Sequence, residues 1–240
     1  MSLIFDGHDL SELFYVGDPE ITILNALPDL RDVPGRDGSA YVGTRYGNSN
    51  VTFTLSLEGG ASERRDALSL LGMWLNVSEP KKLVLPDTPD RYYLAVPDSS
   101  LSLSRAIDAD MAKVSFAIVD PVAYGREMKF TVSSGGSVTF NVAGTYKAKP
   151  VINASAAVRS GTSLVWGLLL DSSKHIRVAT GSSSSRVVKF DCLNRVCTVA
   201  NSVTLPTLTS DWLEFEPGTH TIQNDQGTGS CEVSYIERWL

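Results

Sequence analysis

Hydrophobic and polar residues alternate along most of this chain, and only one stretch shows helical spacing. The clearest alternation is Val51-Thr-Phe-Thr-Leu-Ser-Leu57, with Val51, Phe53, Leu55 and Leu57 on one face and hydroxyl side chains on the other. A period of two marks a strand with one buried face. Strands are also predicted at Lys82–Leu85, Tyr92–Val96 and Met111–Val119. From Leu3 to Ile23 short strands are broken by Asp6-Gly7 and Gly17-Asp18-Pro19, with Ile21, Ile23 and Leu27 keeping the same period. The helix follows Gly59-Gly60, with Ser62 as the expected N-cap and Glu63 at the positive end of the dipole. Ala67, Leu68, Leu71, Trp74 and Leu75 then recur every three or four residues, which predicts a helix over about 62–76 lying across a sheet.

Pro28 to Asn50 interrupts this pattern. It is rich in Pro, Gly, Asp and Arg, with Val33-Pro-Gly-Arg-Asp-Gly38 at its centre. So long a polar stretch in a compact domain predicts an arm or binding loop, with Val33, Arg36, Asp37, Tyr41, Arg45 and Tyr46 as its candidate interface residues.

From Val132 onward the composition shifts to Ser, Gly and Val, and short strands are predicted at Ser137–Val142, Val151–Val158, Leu164–Leu170, Arg186–Asp191 and Val196–Val199. Gly181 to Ser185 reads as a polar turn. The last strands are a pair: Trp212 to Ile222, reversing at Pro217-Gly218, and then Cys231 to Leu240. In the latter, Val233, Tyr235 and Trp239 are expected on one side and Glu232, Ser234 and Arg238 on the other, with the C-terminus held in a sheet. Regular short strands with turns between them predict a β-sandwich. The expected fold is mainly β, with a β-rich domain carrying one helix over 1–130, a sandwich over 131–240, and a boundary near Arg126 to Ser134.

Composition and charge narrow the function. With 240 residues, 42% hydrophobic and 20% charged, the chain suits one large β domain or two small ones. A formal charge of −6 disfavours nucleic-acid binding, which needs a surplus of Lys and Arg. No apolar run is long enough to span a membrane, and the Met-Ser-Leu-Ile-Phe-Asp start lacks the basic and apolar regions of a signal peptide, so synthesis in the cytosol without export is expected. Cys192, Cys197 and Cys231 are then expected as buried free thiols, since the Cys192–Cys197 pair has no second pair to complete a zinc site.

Catalytic signatures are missing. His8, His175 and His220 lie in separate segments, and the chain has no Gly-x-Ser-x-Gly elbow, phosphate-binding loop, dinucleotide fingerprint or His-Glu-x-x-His. Asp108 and Asp110 read as a solvated bend rather than a metal pair, and the sequons at Asn50, Asn76 and Asn153 as chance matches. No catalytic, cofactor, metal or carbohydrate-binding residue is assigned. Trp166, Trp212 and Trp239 are the candidate sugar platforms, but the apolar neighbours of Trp212 and Trp239 favour core packing. His175-Ile-Arg177 and Trp212-Leu-Glu214-Phe-Glu216 do not reproduce a galectin sugar site.

Taken in order, these segments resemble the siphophage distal tail protein family over nearly the whole chain. In the first half the likeness rests on Phe5-Asp6-Gly7, the Val33 to Gly38 loop, the Val51–Leu57 strand, Trp74-Leu75 and Asp120-Pro121. In the second it rests on Asn141 with Gly144 to Ile152, on Val188 to Cys192 with Val196 to Val199, and on the Trp212 and Tyr235 segments. The resemblance implies an N-terminal domain forming a hexameric ring, or stacked rings in vitro, with a galectin-like sandwich outside it and no cofactor. The ring would join the tail tube protein to a tail-tip fibre or tail-associated lysin, with the tape-measure protein a further candidate partner and DNA passing through the lumen without specific binding. Six copies would carry a formal charge of about −36, which disfavours trapping DNA. It also implies a virion protein assembled in the host bacterial cytoplasm, in a short form with no room for an inserted sugar-binding module. A carbohydrate-binding adhesin on the same sandwich is the competing reading, and a hydrolase the third.

Overall fold

The computed structural model describes residues 2–21, 25–98, 102–105, 109–156, 164–181 and 185–240. The chain divides between Ala123 and Tyr124 into two compact units. The first holds β1 (Ile4–Phe5), β2 (His8–Asp9), β3 (Tyr15–Val16), β4 (Glu20–Ile21), β5 (Ala26–Asp32), β6 (Ser39–Tyr46), β7 (Ser49–Glu58), α1 (Ala61–Leu75), β8 (Lys81–Val84), β9 (Tyr93–Pro97), β10 (Ser102–Arg105) and β11 (Ala109–Ile118). The second opens within β12 (Ala123–Val132) and continues through β13 (Ser137–Val142), β14 (Val151–Ala156), β15 (Val165–Leu170), β16 (Lys174–Ala179), β17 (Arg186–Asp191), β18 (Val196–Val199), β19 (Ser202–Thr204), β20 (Gly218–Gln226) and β21 (Cys231–Trp239).

In the first unit the order β2-β1-β8-β9-β11-β7-β3 makes an antiparallel sheet, with β10 on β11 and β4 on β7. The alternation over Val51–Leu57 does what it predicts, as all four apolar residues are buried. β11 pairs with β7 along its whole length, from Ala109 opposite Glu58 to Ile118 opposite Ser49. Phe116 packs at 4.9 Å from Phe5 and 6.5 Å from Phe53 between ring centroids. The helix adds Ala67 and Leu71 to this core, with Leu68 and Leu75 partly buried beside them. Its N-cap is Gly60 rather than Ser62, because the extended Gly60 places its own N–H on Glu63 Oε2 at 3.0 Å.

The second unit is a sandwich. A six-stranded sheet, β12-β21-β14-β17-β18-β19, faces a four-stranded one, β13-β20-β15-β16. One core joins them: Ile152, Phe190 and Val233 from the first meet Trp166, Ile176 and Ile222 from the second. Trp166 is fully buried, 6.4 Å from Phe190. The Asp191-Cys192 hairpin has a local cause. Asp191 Oδ1 accepts the N–H groups of Leu193 and Asn194 at 3.1 and 3.0 Å, closing the turn, while Phe190 and Cys197 pair across the strands inside the core.

Some expectations fail in detail. Of the arm or binding loop expected over Pro28 to Asn50, the loop alternative falls away, because most of the stretch forms the β5–β6 hairpin. Residues 126–132 of the expected boundary lie in β12. Trp212 to Pro217 is not a strand, since a single bridge, Phe215 with Ala148, satisfies its backbone. Arg238, expected on a polar face, is buried with its guanidinium 5.1 Å from the Tyr124 ring and 5.4 Å from the Tyr146 ring. The backbone closes over Arg238 because Thr145 and Tyr146 both donate to its carbonyl at 3.1 Å. That approach needs Gly144, which has φ +106 and would set a Cβ 2.2 Å from Arg238 O. Residues 22–24, 157–163 and 182–184, Asp108 and the Asp110 side chain lie outside the described residues.

Candidate assembly interface

Among the described residues the hairpin over the expected arm or binding loop pairs only with itself, as a two-stranded sheet. Its register runs from Ala26 opposite Tyr46 to Asp32 opposite Ser39, with Val42 bulged between Asp29 and Leu30 of the partner strand. Residues paired across a hairpin share a face, so Ala26, Pro28, Leu30, Tyr41 and Tyr46 lie on one side. Tyr41 Oη lies 2.7 Å from Thr44 Oγ1 on that same side. Leu27, Asp29, Arg31 and Arg45 occupy the other. The hairpin is thus amphipathic, yet all seven residues of β5 are exposed.

The six candidate residues therefore divide three ways. Val33, Arg36 and Asp37 sit in the connecting turn, where Arg36 N donates to Val33 O at 3.2 Å. Tyr41 and Tyr46 share the apolar face, and Tyr41 is 65% exposed. Arg45 points to the charged side. Sequence reasoning missed Leu30 and Val42, both exposed. The alternation of Ala26, Pro28 and Leu30 carried the signal, but the prolines and glycines around it read as loop.

The fold assembles little chemistry elsewhere. His220 comes closest to a catalytic arrangement, with Nδ1 2.6 Å from Asp171 Oδ2 and Nε2 2.6 Å from the Glu216 carbonyl. Both ring nitrogens face acceptors, so neither is left to activate a nucleophile. Burial alone would raise the Asp171 carboxyl, but the contacts from His220 and from Thr221 N–H hold it below its ordinary value. The three cysteines are free and buried, and burial pushes Cys192 up to about 12, Cys197 to about 11 and Cys231 to about 12. Such thiols stay protonated and unreactive.

A cleft of about 170 Å³ on the outer face of the six-stranded sheet, lined by Val151, Leu193, Ser234 and Ile236 among others, is smaller than a typical ligand pocket. Trp212 is partly buried against the sandwich core, and Trp239 lies half-buried over Gly125. Among the described residues no group of His, Cys, Asp and Glu is placed to hold a metal, and no helix is long and apolar enough to cross a membrane.

Two β-built domains with an exposed amphipathic arm define a structural subunit, whose main surface feature is suited to assembly. Two family models match the two domains in order: "Phage tail protein RIFT-related domain" over residues 9–117 and "Siphovirus-type tail component, C-terminal domain" over 143–239. The chain belongs to the siphovirus-type tail component family of distal tail (Dit) proteins, and is a structural component of the phage tail. Its fold is similar to that of the SPP1 Dit protein (gp 19.1), described as a paradigm of hub adsorption apparatus in Gram-positive-infecting phages. That match has 19% identity and a TM-score of 0.79, covering 100% of this chain and 99% of the other. A chain of the phage P2 baseplate, in its activated conformation with Ca, is similar at 8% identity and a TM-score of 0.50, with 96% of this chain and 92% of that one covered. No curated protein matches the chain.

Proposed function

We propose that six copies of this chain close into a ring at the tail tip. The ring connects the tail tube to the tail-tip fibre or tail-associated lysin and leaves a channel for DNA. The observation that carries this reading is the β5–β6 arm, a folded amphipathic ribbon whose apolar face has no partner among the described residues. A ribbon of two strands is marginal alone in water, so this one is built to be covered by another surface. Its tip and face supply Val33, Arg36, Asp37, Tyr41, Arg45 and Tyr46 as ring-interface residues.

The likeness to a protein described as a hub in an adsorption apparatus supports the tail-tip location. In this reading the sandwich is galectin-like, sits outside the ring, and acts as a scaffold rather than a sugar site or an enzyme. The ring assembles in the host bacterial cytoplasm, with the tape-measure protein as a neighbour. Light scattering behind size exclusion tests the ring: hexamers or stacked pairs are expected from the intact chain, and monomers after deletion of residues 28–46, which leaves β7 whole. Hexamers from the deleted chain would remove the arm from the interface.

A further inference from the structure

A head-to-tail ring needs an acceptor for the arm as well as the arm itself. One lies at the far end of β7, the strand that follows the arm. Leu13, Tyr15, Ser56, Leu57 and Glu58 line an open groove where β3 meets β7. Tyr15 there is 78% exposed, a large aromatic side chain with nothing over it. Glu58 lines the groove and Glu12 adjoins Leu13 in sequence, both exposed and neither in an ion pair among the described residues. Asp18 is exposed further along the same edge.

The arm carries the matching chemistry. Its apolar face presents Leu30 and Tyr41, while Arg36 and Arg45 are exposed and make no ion pair among the described residues. Arg31 meets only Asp29, at 3.8 Å and in solvent. Three arginines (Arg31, Arg36, Arg45) against three aspartates (Asp29, Asp32, Asp37) leave the arm neutral within a chain of charge −6. It can therefore approach an acidic copy without net repulsion and bring guanidinium groups to unpaired carboxylates.

Donor and acceptor lie at opposite ends of β7. The arm leaves beside Val51, where β4 pairs with β7, and the groove is at Leu57. Six residues of strand separate them by roughly 20 Å. A subunit that offers an arm at one end and a socket at the other makes a heterologous contact, which repeats until the rotation closes. We infer that the β5–β6 arm of one copy docks in the Leu13–Tyr15–Leu57–Glu58 groove of the next, its Leu30 and Tyr41 against Tyr15 and Arg36 at its tip against Glu12 and Glu58. This rests on the ring reading and adds the surface that receives the arm.

Cross-linking tests the contact directly, because the native thiols are buried and held protonated. A chain carrying both Tyr15→Cys and Tyr41→Cys, treated with a short bis-maleimide, is expected to give a ladder of covalent multimers, and either single variant none. Independently, Glu12→Arg with Glu58→Arg is expected to raise the concentration at which rings dissociate about tenfold or more. Adding Arg36→Glu to that chain should recover part of the loss. These positions are exposed, so circular dichroism should show an unchanged fold. If wild-type rings form but the ladder is absent, or if the Glu12/Glu58 variant closes as well as wild type, the groove is not the socket. A wild-type chain that stays monomeric at every concentration would instead overturn the ring reading itself.

Discussion

β5 and β7 are near neighbours in the sequence and belong to the same unit, yet they use their apolar residues in opposite ways. β7 buries every second residue, and strands flank it on both sides. β5 buries none, and among the described residues its only partner is β6. Both carry apolar residues at alternate positions, Ala26, Pro28 and Leu30 in one and Val51, Phe53, Leu55 and Leu57 in the other, so alternation does not separate them. What separates them is the number of sheet neighbours. A strand inside a sheet has a core to cover its apolar face, whereas a ribbon of two leaves that face for another molecule. Stability should accordingly concentrate in β7 and assembly in β5.

The largest expected effect tests the first half of that division. Phe53 is fully buried and packs edge-on against Phe116. Phe53→Ala should destabilise the dissociated chain by about 3–5 kcal/mol through lost burial and the cavity left behind. Urea unfolding monitored at low protein concentration measures it. A loss below about 1 kcal/mol would mean that β7 is not the centre of its core.

Next in size is Gly144→Ala, in the other unit. The positive φ and the carbonyl of Arg238 both oppose a Cβ there. The expected cost is about 1–3 kcal/mol, read as a lower thermal midpoint of the sandwich. Gly72 is an internal control, since it sits on the exposed side of α1 with open space around it, so Gly72→Ala should be neutral or slightly stabilising.

Much of this was legible in the sequence, for identifiable reasons. Val51–Leu57 and Ser137–Val142 alternate cleanly, Arg186–Asp191 and Val196–Val199 less so, and the structure places strands over all four. β16 was missed because Lys174, His175 and Arg177 surround Ile176 in a short, charged segment. The arm was recognised as an arm but not as a hairpin. Pro28, Gly35, Gly38 and Gly43 are loop residues by propensity, and the Val42 bulge shifts the pairing that would reveal two strands. Arg238 was misplaced because alternation cannot foresee that Tyr124 and Tyr146, remote in sequence, close over an outward-facing position. The groove at Tyr15 has no local pattern at all, since it exists only where β3 meets the end of β7.

A smaller effect depends on pH. Burial of Asp191 would raise its carboxyl, but the hydrogen bonds from Asn194 and Leu193 outweigh that and hold it below the ordinary value of 3.8. A depressed folded value stabilises fully above the unfolded one and loses its contribution as pH falls through the folded one. Asp191→Ala should therefore cost about 1 kcal/mol at neutral pH. The gap to wild type should shrink steadily below pH ~4. A gap that stayed constant down to pH ~2 would show that the turn depends on packing rather than on the carboxylate.

The smallest expected effect decides the most about the comparison. Leu30→Ser and Tyr41→Ser remove large apolar groups, changes that in β7 would be severe. On the arm those groups are in water already, so unfolding of the dissociated chain should move by no more than about 0.5 kcal/mol. The same variants should impair ring closure, because the surface they remove is buried only between copies. Stability and assembly would then respond to different strands of one unit. If Tyr41→Ser lowered single-chain stability as much as a core substitution, the arm would be packed on its own subunit in solution. β5 would then be an ordinary strand with a buried face, and the contrast with β7 would disappear.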